Sequence, residues 1–453
     1  MYLIGDTRRL IPGTSVVIDT VASMLEEPTD VSAQKPTAVS LFSGCGGFCE
    51  GVRTAGFEVK AAVEIDRFAA ETYRANFPTT PLYEGDATNF LNEESKVWAE
   101  DSARFAGIQP GTIDLLFGGP PCQGFSQIGP RMLDDPRNKL YMEFIRVLKY
   151  LRPATFLMEN VPNMLLIGKG TFKKQVLDAL AEAGYSNCAV RIVVSSDYGV
   201  AQTRRRAIFF GVRDDLTIDG AVGAFFENAL AGEERATPTV WDAIRDLPEA
   251  TAIHYESLPY PRTKVRSALL DDLRLDRDGA NFSRETKLVQ SGEKRARLHN
   301  HHTKEIKDRR KALIALLKPG AKGDSLPKEV WNGLRPEKWR RLPIDKPAYT
   351  ILAQMHRDLS EWVHPKYERW ITVREAARLQ SFHDGFVFHS SEWQMLKQIG
   401  NAVPPLMARA LATVAKKAID ETRSPASTPI IPLDSYRHAP TGTRAEQQVA
   451  AAQ

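Results

Sequence analysis

The stretch Ala38-Val39-Ser40-Leu41-Phe42-Ser43-Gly44-Cys45-Gly46-Gly47 decides the fold. Its first five residues form a short, nearly continuous apolar run, the pattern of a strand buried on both faces. The glycines after it let the backbone turn sharply and approach a ligand closely. Phe48 to Ala55 then reads as a helix ended by Gly56. Strand, glycine turn and helix open the nucleotide-binding folds, in which an acidic residue near the end of the next strand binds ribose hydroxyls. Lys60 to Ile65 reads as that next strand, and Glu64 stands near its end, 20 residues after Gly44. A helix over Arg67 to Asn76 follows, and Asp86 falls where a third strand should end, placed to accept from an adenine amino group. The loop lacks the full GxGxxG spacing, which argues against a dinucleotide. S-adenosylmethionine carries no phosphate and fits the loop better than NAD.

Outward from this unit, strands alternate with helices. Ile113 to Phe117, Thr155 to Met158, Arg191 to Ser195 and Ala207 to Val212 read as further strands. The alternation predicts an open, mainly parallel α/β sheet. It fades after about residue 235, and Tyr255 to Arg297 is rich in charge and weak in pattern. Helices are expected over Lys304 to Leu317, Val373 to Ser381 and Val403 to Asp420. By itself Gly400-Asn401 reads as a turn. Residues 1–36 read as an extension and the Pro-, Thr-, Ser- and Ala-rich tail from Ser424 as disordered.

A chain of 453 residues can hold two domains. No apolar run reaches the roughly 18 residues of a membrane span, and the first 35 residues lack the zones of a secretory signal. The four cysteines, Cys45, Cys49, Cys122 and Cys188, form no CxxC pair. That argues against a zinc site or a disulfide framework and for a reducing cytosol. His299, His301 and His302 lack accompanying acidic or cysteine ligands and read as a polar loop, so no metal is expected. The net charge of +4 hides an asymmetry: residues 251–345 hold 22 Lys and Arg against 13 Asp and Glu, an excess of nine. A basic middle inside a slightly acidic remainder is either a candidate nucleic-acid surface, with Arg295, Arg297, Arg309 and Arg310 as candidate phosphate contacts, or a well-solvated face.

The candidate chemistry starts at Gly118-Gly119-Pro120-Pro121-Cys122-Gln123, directly after an apolar strand. A thiol on a stiff turn at the carboxyl end of a strand is placed where open α/β sheets build their sites. It is either a small buried hydrophobe or a nucleophile for carbon 6 of a cytosine ring. Glu159 also ends a strand; if burial keeps its carboxyl protonated, it can donate to ring nitrogen 3. Arg204 and Arg206 alternate and share one face. One can bind the cytosine carbonyl oxygen or a phosphate, and the other can brace Glu159.

Taken together, these residues resemble the cytosine-5 DNA methyltransferases. The resemblance rests on Phe42 to Gly47, Glu64, Gly85-Asp86, Pro120-Pro121-Cys122-Gln123, Glu159-Asn160-Val161 and Gln202-x-Arg204-x-Arg206. It continues through Arg340 to Thr350 with Pro347, Arg374 to Phe382 and Gly400-Asn401-Ala402-Val403-Pro404-Pro405. It implies a Rossmann-like, S-adenosylmethionine-dependent methyltransferase sheet with a second, smaller target-recognition domain. The implied parts are a catalytic region over 37–235, target recognition over 236–371 and a return segment over 372–422. Implied catalytic residues are Cys122, Gln123, Glu159, Arg204 and Arg206. Implied cofactor contacts are Phe42, Gly44, Gly46, Gly47, Glu64, Ile65, Asp86, Ala87, Gly119, Pro121, Asn401 and Val403. The implied partner is double-stranded DNA, with action either beside a cognate restriction endonuclease or alone, as a cytoplasmic monomer. Residues from Gln123 to about Lys139 look like a lid over the DNA. The Cys-Phe-Thr element of the related tRNA-modifying branch is absent.

Overall fold

The computed structural model describes residues 34–121, 140–251, 257–261, 263–275, 297–331, 339–353 and 361–423. Cys122, Gln123, the expected lid, Arg295 and the tail after Arg423 lie outside them. The elements below belong to one unit that begins at Pro36.

Seven strands form the central sheet: β1 (Thr37–Leu41), β2 (Glu58–Glu64), β3 (Leu82–Glu84), β4 (Leu115–Gly118), β5 (Thr155–Asn160), β6 (Cys188–Val194) and β7 (Arg205–Val212). Their order is β3-β2-β1-β4-β5-β7-β6. β1 to β5 pair in parallel, and β7 runs antiparallel to both β5 and β6. The expected parallel-rich α/β sheet is present. The order reverses between β1 and β4, and such a switch point opens a crevice at the carboxyl ends of the strands.

The helices named below are α1 (Gly47–Thr54), α2 (Arg67–Asn76), α3 (Leu140–Leu151), α4 (Thr171–Glu182), α5 (Val222–Ala231), α6 (Asp308–Leu316), α7 (Val373–Leu379), α8 (Glu392–Asn401) and α9 (Pro405–Thr422). Successive strand residues point to opposite faces, so the apolar runs feed two cores. Ala38, Leu115, Phe117, Leu157, Ile208 and Phe210 face Phe48 and Val52 of α1, Phe226 of α5 and Leu411 of α9. Val39, Leu41, Leu116, Phe156, Met158 and Phe209 face Phe144 and Leu148 of α3 and Val176 and Leu180 of α4. Each such fully buried Val, Leu, Ile or Phe contributes about 1.5–3 kcal/mol over exposure. The late helix α9 packs on the early helix α1, which returns the end of the chain to the sheet where it began.

Two expectations change. The helix expected from Lys304 starts at Asp308, with Lys307 still extended and Asp308 in the first turn, where a carboxylate meets the positive helix end. Gly400-Asn401 is not a free turn: it forms the last two residues of α8, a helix not anticipated from sequence.

Candidate active site

The crevice at the switch point is a cleft of about 530 Å3. Four strand ends build it. Phe42, Ser43 and Gly44 follow β1; Glu64 and Ile65 end β2; Gly119, Pro120 and Pro121 follow β4; Glu159, Asn160 and Val161 end β5. Arg204, just before β7, and Arg206, in its first residues, line it, and Gly400, Asn401 and Val403 close it from the end of α8 and the turn beyond.

Glu64 is fixed from both sides. Its Oε2 accepts from the Gly44 N–H at 2.7 Å and its Oε1 from the Asp66 N–H at 2.7 Å. Burial pushes this carboxyl up, against those two backbone donors. Two accepted bonds leave further lone pairs for hydroxyl donors. Ile65 next to it is 65% exposed, an apolar surface at the mouth of the cleft. Lys397 of α8 reaches Asp66 at 2.7 Å, and both line the cleft.

Glu159 Oε1 pairs with Arg206 Nε at 2.6 Å, with both side chains nearly buried. Of the two arginines that could brace Glu159, it is Arg206 that does so. A Cβ at 119 would stand 2.9 Å from Glu159 Oε2, so a side chain there would displace that carboxyl. Asn160 received no role from sequence. Its amide donates to Pro120 O at 2.9 Å, and its Oδ1 accepts from Val161 N. It thereby pins the Pro-Pro turn that leads to Cys122. Arg204 is buried and donates through Nη1 to Ile351 O at 3.2 Å and Gly400 O at 3.0 Å. Burial lowers its pKa well below the usual guanidinium value; the charge of Arg206 adds to this and Glu159 opposes it.

The structure thus gathers Phe42, Gly44, Gly47, Glu64, Ile65, Gly119, Pro121, Glu159, Arg204, Arg206, Asn401 and Val403 around one cleft. Gly46, Asp86 and Ala87 do not line it. Gly46 caps α1, Asp86 accepts from Thr88 N, and the Ala87 carbonyl accepts from Arg146. Sequence reading missed Ile351, Leu352 and Ala353, which line the cleft just after the short strand Ala348–Tyr349 that pairs with Gln202-Thr203. The three described cysteines are protonated thiols, as burial pushes Cys45 up to about 12 and Cys49 and Cys188 up to about 11.

A family model for C-5 cytosine-specific DNA methylase matches residues 37–417. This chain belongs to that family. As a C5 cytosine methylase it is 31% identical to the type II methyltransferase M.AgeI of Thalassovita gelatinovora, over 84% of this chain and 99% of the relative. It is 33% identical to M.XorII of Xanthomonas oryzae pv. oryzae, over 85% of each chain. A crystal structure described as a prophage-encoded DNA modification methyltransferase of E. coli superposes with a TM-score of 0.67 at 28% identity. That match covers 85% of this chain and all of the other. The methylase is an enzyme that modifies carbon 5 of cytosine in DNA. Among its described residues, no helix is long and apolar enough to cross a membrane.

Around the cleft, the methylase is braced by buried charge. Arg378 of α7 binds Asp384 through Nε at 2.8 Å and Nη2 at 2.6 Å, and Asp246 through Nη1 at 2.5 Å. Arg274 holds the same Asp246, and the Tyr260 hydroxyl donates to Asp384 at 2.5 Å. Burial pushes the Asp384 carboxyl up, but the charge and hydrogen bonds of Arg378 outweigh it and hold the carboxyl below its usual range. His301, one of the three neighbouring histidines, is spent on structure: its ring nitrogens meet Thr372 Oγ1 and Pro248 O. Of the basic candidates, Arg297 is bound to Ser257, while Arg309 and Arg310 are exposed on α6.

Proposed function

We propose that the methylase acts on duplex DNA at a short target sequence and transfers the methyl group of S-adenosylmethionine to a flipped-out cytosine through a Cys122 adduct. One observation carries this reading. A single cleft joins a wall suited to a nucleoside, Glu64 with Ile65, to a buried carboxylate–guanidinium pair, Glu159 with Arg206, and Pro121 stands beside that pair. A cleft of about 530 Å3 is in the size range of small-molecule sites. Glu64 has lone pairs free for ribose hydroxyls, Ile65 offers a face to adenine, and Asn401 reaches the same space. S-adenosylmethionine supplies, when bound, an electrophilic methyl group.

The residues of this chain do the rest. The target ring is inaccessible in the stack, so the base must leave it. The Cys122 thiolate adds to carbon 6 while Glu159 supplies a proton to nitrogen 3, and carbon 5 becomes nucleophilic. After carbon 5 is methylated, a base takes its proton, the carbon 6–sulfur bond breaks, Cys122 leaves as thiolate, and nitrogen 3 returns its proton to Glu159. Arg206 orients Glu159 for this. Cys122 is the thiol suited to the task, because Cys45 and Cys49 are buried, Cys188 is half-buried, and desolvation raises the pKa of all three. Residues 236–371 are assigned to target recognition and residues 372–422 to completing the catalytic part. The relatives are named type II methyltransferases, which supports work in the cytoplasm beside a restriction endonuclease.

Bisulfite sequencing of DNA from a host without cytosine methylation tests the reading. Expression of the native chain is expected to protect cytosines in one short recurring sequence, and Cys122→Ala to protect none while still shifting duplex DNA in a gel. Unprotected DNA with soluble native protein, or protection by Cys122→Ala, overturns it.

A further inference from the structure

Two walls of the cleft come from segments far apart in sequence. One is the end of α8 and its turn, Gly400 to Val403; the other is Ile351 to Ala353. We propose that Gln202, Arg204 and Gln380, buried behind these walls, are positioning residues that couple them, so that cofactor on one wall sets the other for the target base. The proposal rests on the reading above, in which S-adenosylmethionine meets Asn401.

The geometry is a buried polar network. Gln202 Oε1 accepts from Ile351 N at 2.8 Å, and its amide nitrogen donates to Gln380 Oε1. Gln380 in turn donates from Nε2 to Ile399 O at 3.1 Å and Ala402 O at 2.7 Å. Arg204 spans the same gap, with Nη1 shared between Ile351 O and Gly400 O. Ser195 secures the Gln202–Arg204 segment: its hydroxyl donates to Gln202 O at 2.6 Å and accepts from Arg204 N at 3.0 Å. Both glutamines are fully buried and Arg204 is 2% exposed, so no water stands ready to replace a broken bond. The walls also touch: a Cβ on Gly400 would lie 2.4 Å from both Ala353 N and Leu352 C. A shift of one wall must therefore move the other or leave buried groups unpaired. That is the physical content of a coupling free energy between two ligands of one cleft.

The test is calorimetric binding of S-adenosylhomocysteine, alone and with a saturating unmethylated duplex that carries the sequence found by bisulfite mapping. In the native enzyme the duplex is expected to raise the affinity roughly fivefold or more, within the usual range of coupling. In Gln380→Met, which keeps the length of the side chain and removes its hydrogen bonds, the enhancement is expected to fall below about twofold, with affinity for S-adenosylhomocysteine alone within about threefold of native. Gly400→Ala, which wedges the walls apart and removes no hydrogen-bonding group, is expected to show the same loss and serves if Gln380→Met does not fold. Full native enhancement in a folded variant, or none in the native enzyme, overturns the coupling. A native enzyme that binds no S-adenosylhomocysteine and methylates no DNA instead sinks the functional reading beneath it.

Discussion

At the scale of the residue, Glu159 shows how a neighbour changes a role. A buried carboxyl alone is a proton store, because burial disfavours the charge. Arg206 Nε at 2.6 Å holds the Glu159 carboxyl in one orientation, which suits the proton transfer proposed at nitrogen 3. Glu159→Gln keeps the shape and cannot cycle that proton. It is expected to lower kcat by about 10²–10⁴-fold, the usual worth of a positioned acid, with DNA binding retained. A single-turnover assay that finds the native rate would remove Glu159 from the chemistry. Glu159, Arg206 and the Pro-Pro turn were legible from residue type and spacing. The service of Asn160 to Pro120 was not, since an amide after a strand can bond in many directions.

At the scale of the element, α7 is a helix whose start is over-determined. Thr372 and Glu375 form a capping box, the reciprocal bond pair that satisfies two orphan donors. Arg369 binds Glu375 at 2.7 and 2.9 Å, and His364 lies 3.7 Å from the same carboxylate. Burial lowers His364 to about 4; Glu375 opposes this, and Arg369 and Arg341 add to it. The folded value lies below the ordinary value of 6.5, so in acid the unfolded chain takes the proton first. Stability from this group is present above pH 6.5 and is lost as pH falls toward 4. The full loss is of order 3 kcal/mol at 1.36 kcal/mol per pKa unit. The melting temperature is expected to drop between pH 7 and pH 5, and to drop less in His364→Gln. Equal slopes in the two proteins would show that His364 does not govern the acid limb. The capping signal of α7 stood in the sequence as Thr372-x-x-Glu375. Before α8 the sequence offers the similar spacing Ser391-x-x-Gln394, yet Ser391 makes no capping hydrogen bond.

At the scale of the whole molecule, buried charge and surface charge do different work. Arg378 ties α7 to Asp246 and Asp384 in the interior. Arg378→Met leaves two buried carboxylates short of a partner and is expected to destabilise the fold by about 3–5 kcal/mol, read as a lower midpoint in urea. An unchanged midpoint would mean that Arg274 and Arg374 suffice. On the outside, Arg309, Arg310 and Lys311 of α6 are exposed, and the helix is anchored at its other end by Arg341, which donates to Ile314 O and Leu317 O. Replacing all three with Gln is expected to weaken binding to any duplex and to lower the slope of log K against log salt by up to about 0.9 per lost phosphate contact. A constant slope would place α6 off the DNA.

The sequence by itself determined the sheet, the glycine turn, the strand-end acids and the family. Those signals are local: apolar runs with their periods, turn residues, and short motifs whose chemistry depends on neighbours in the chain. Only the tertiary structure decided that Ile351 to Ala353 share a cleft with Gly400 to Val403, that Arg204 bonds to carbonyls of both, and that Asp86 and Gly46 stand outside the lining. The physical reason is that a buried amide or guanidinium is satisfied by whichever carbonyl packing brings within 3 Å or so. Nothing in the local pattern of Gln202 names Gln380, 178 positions away.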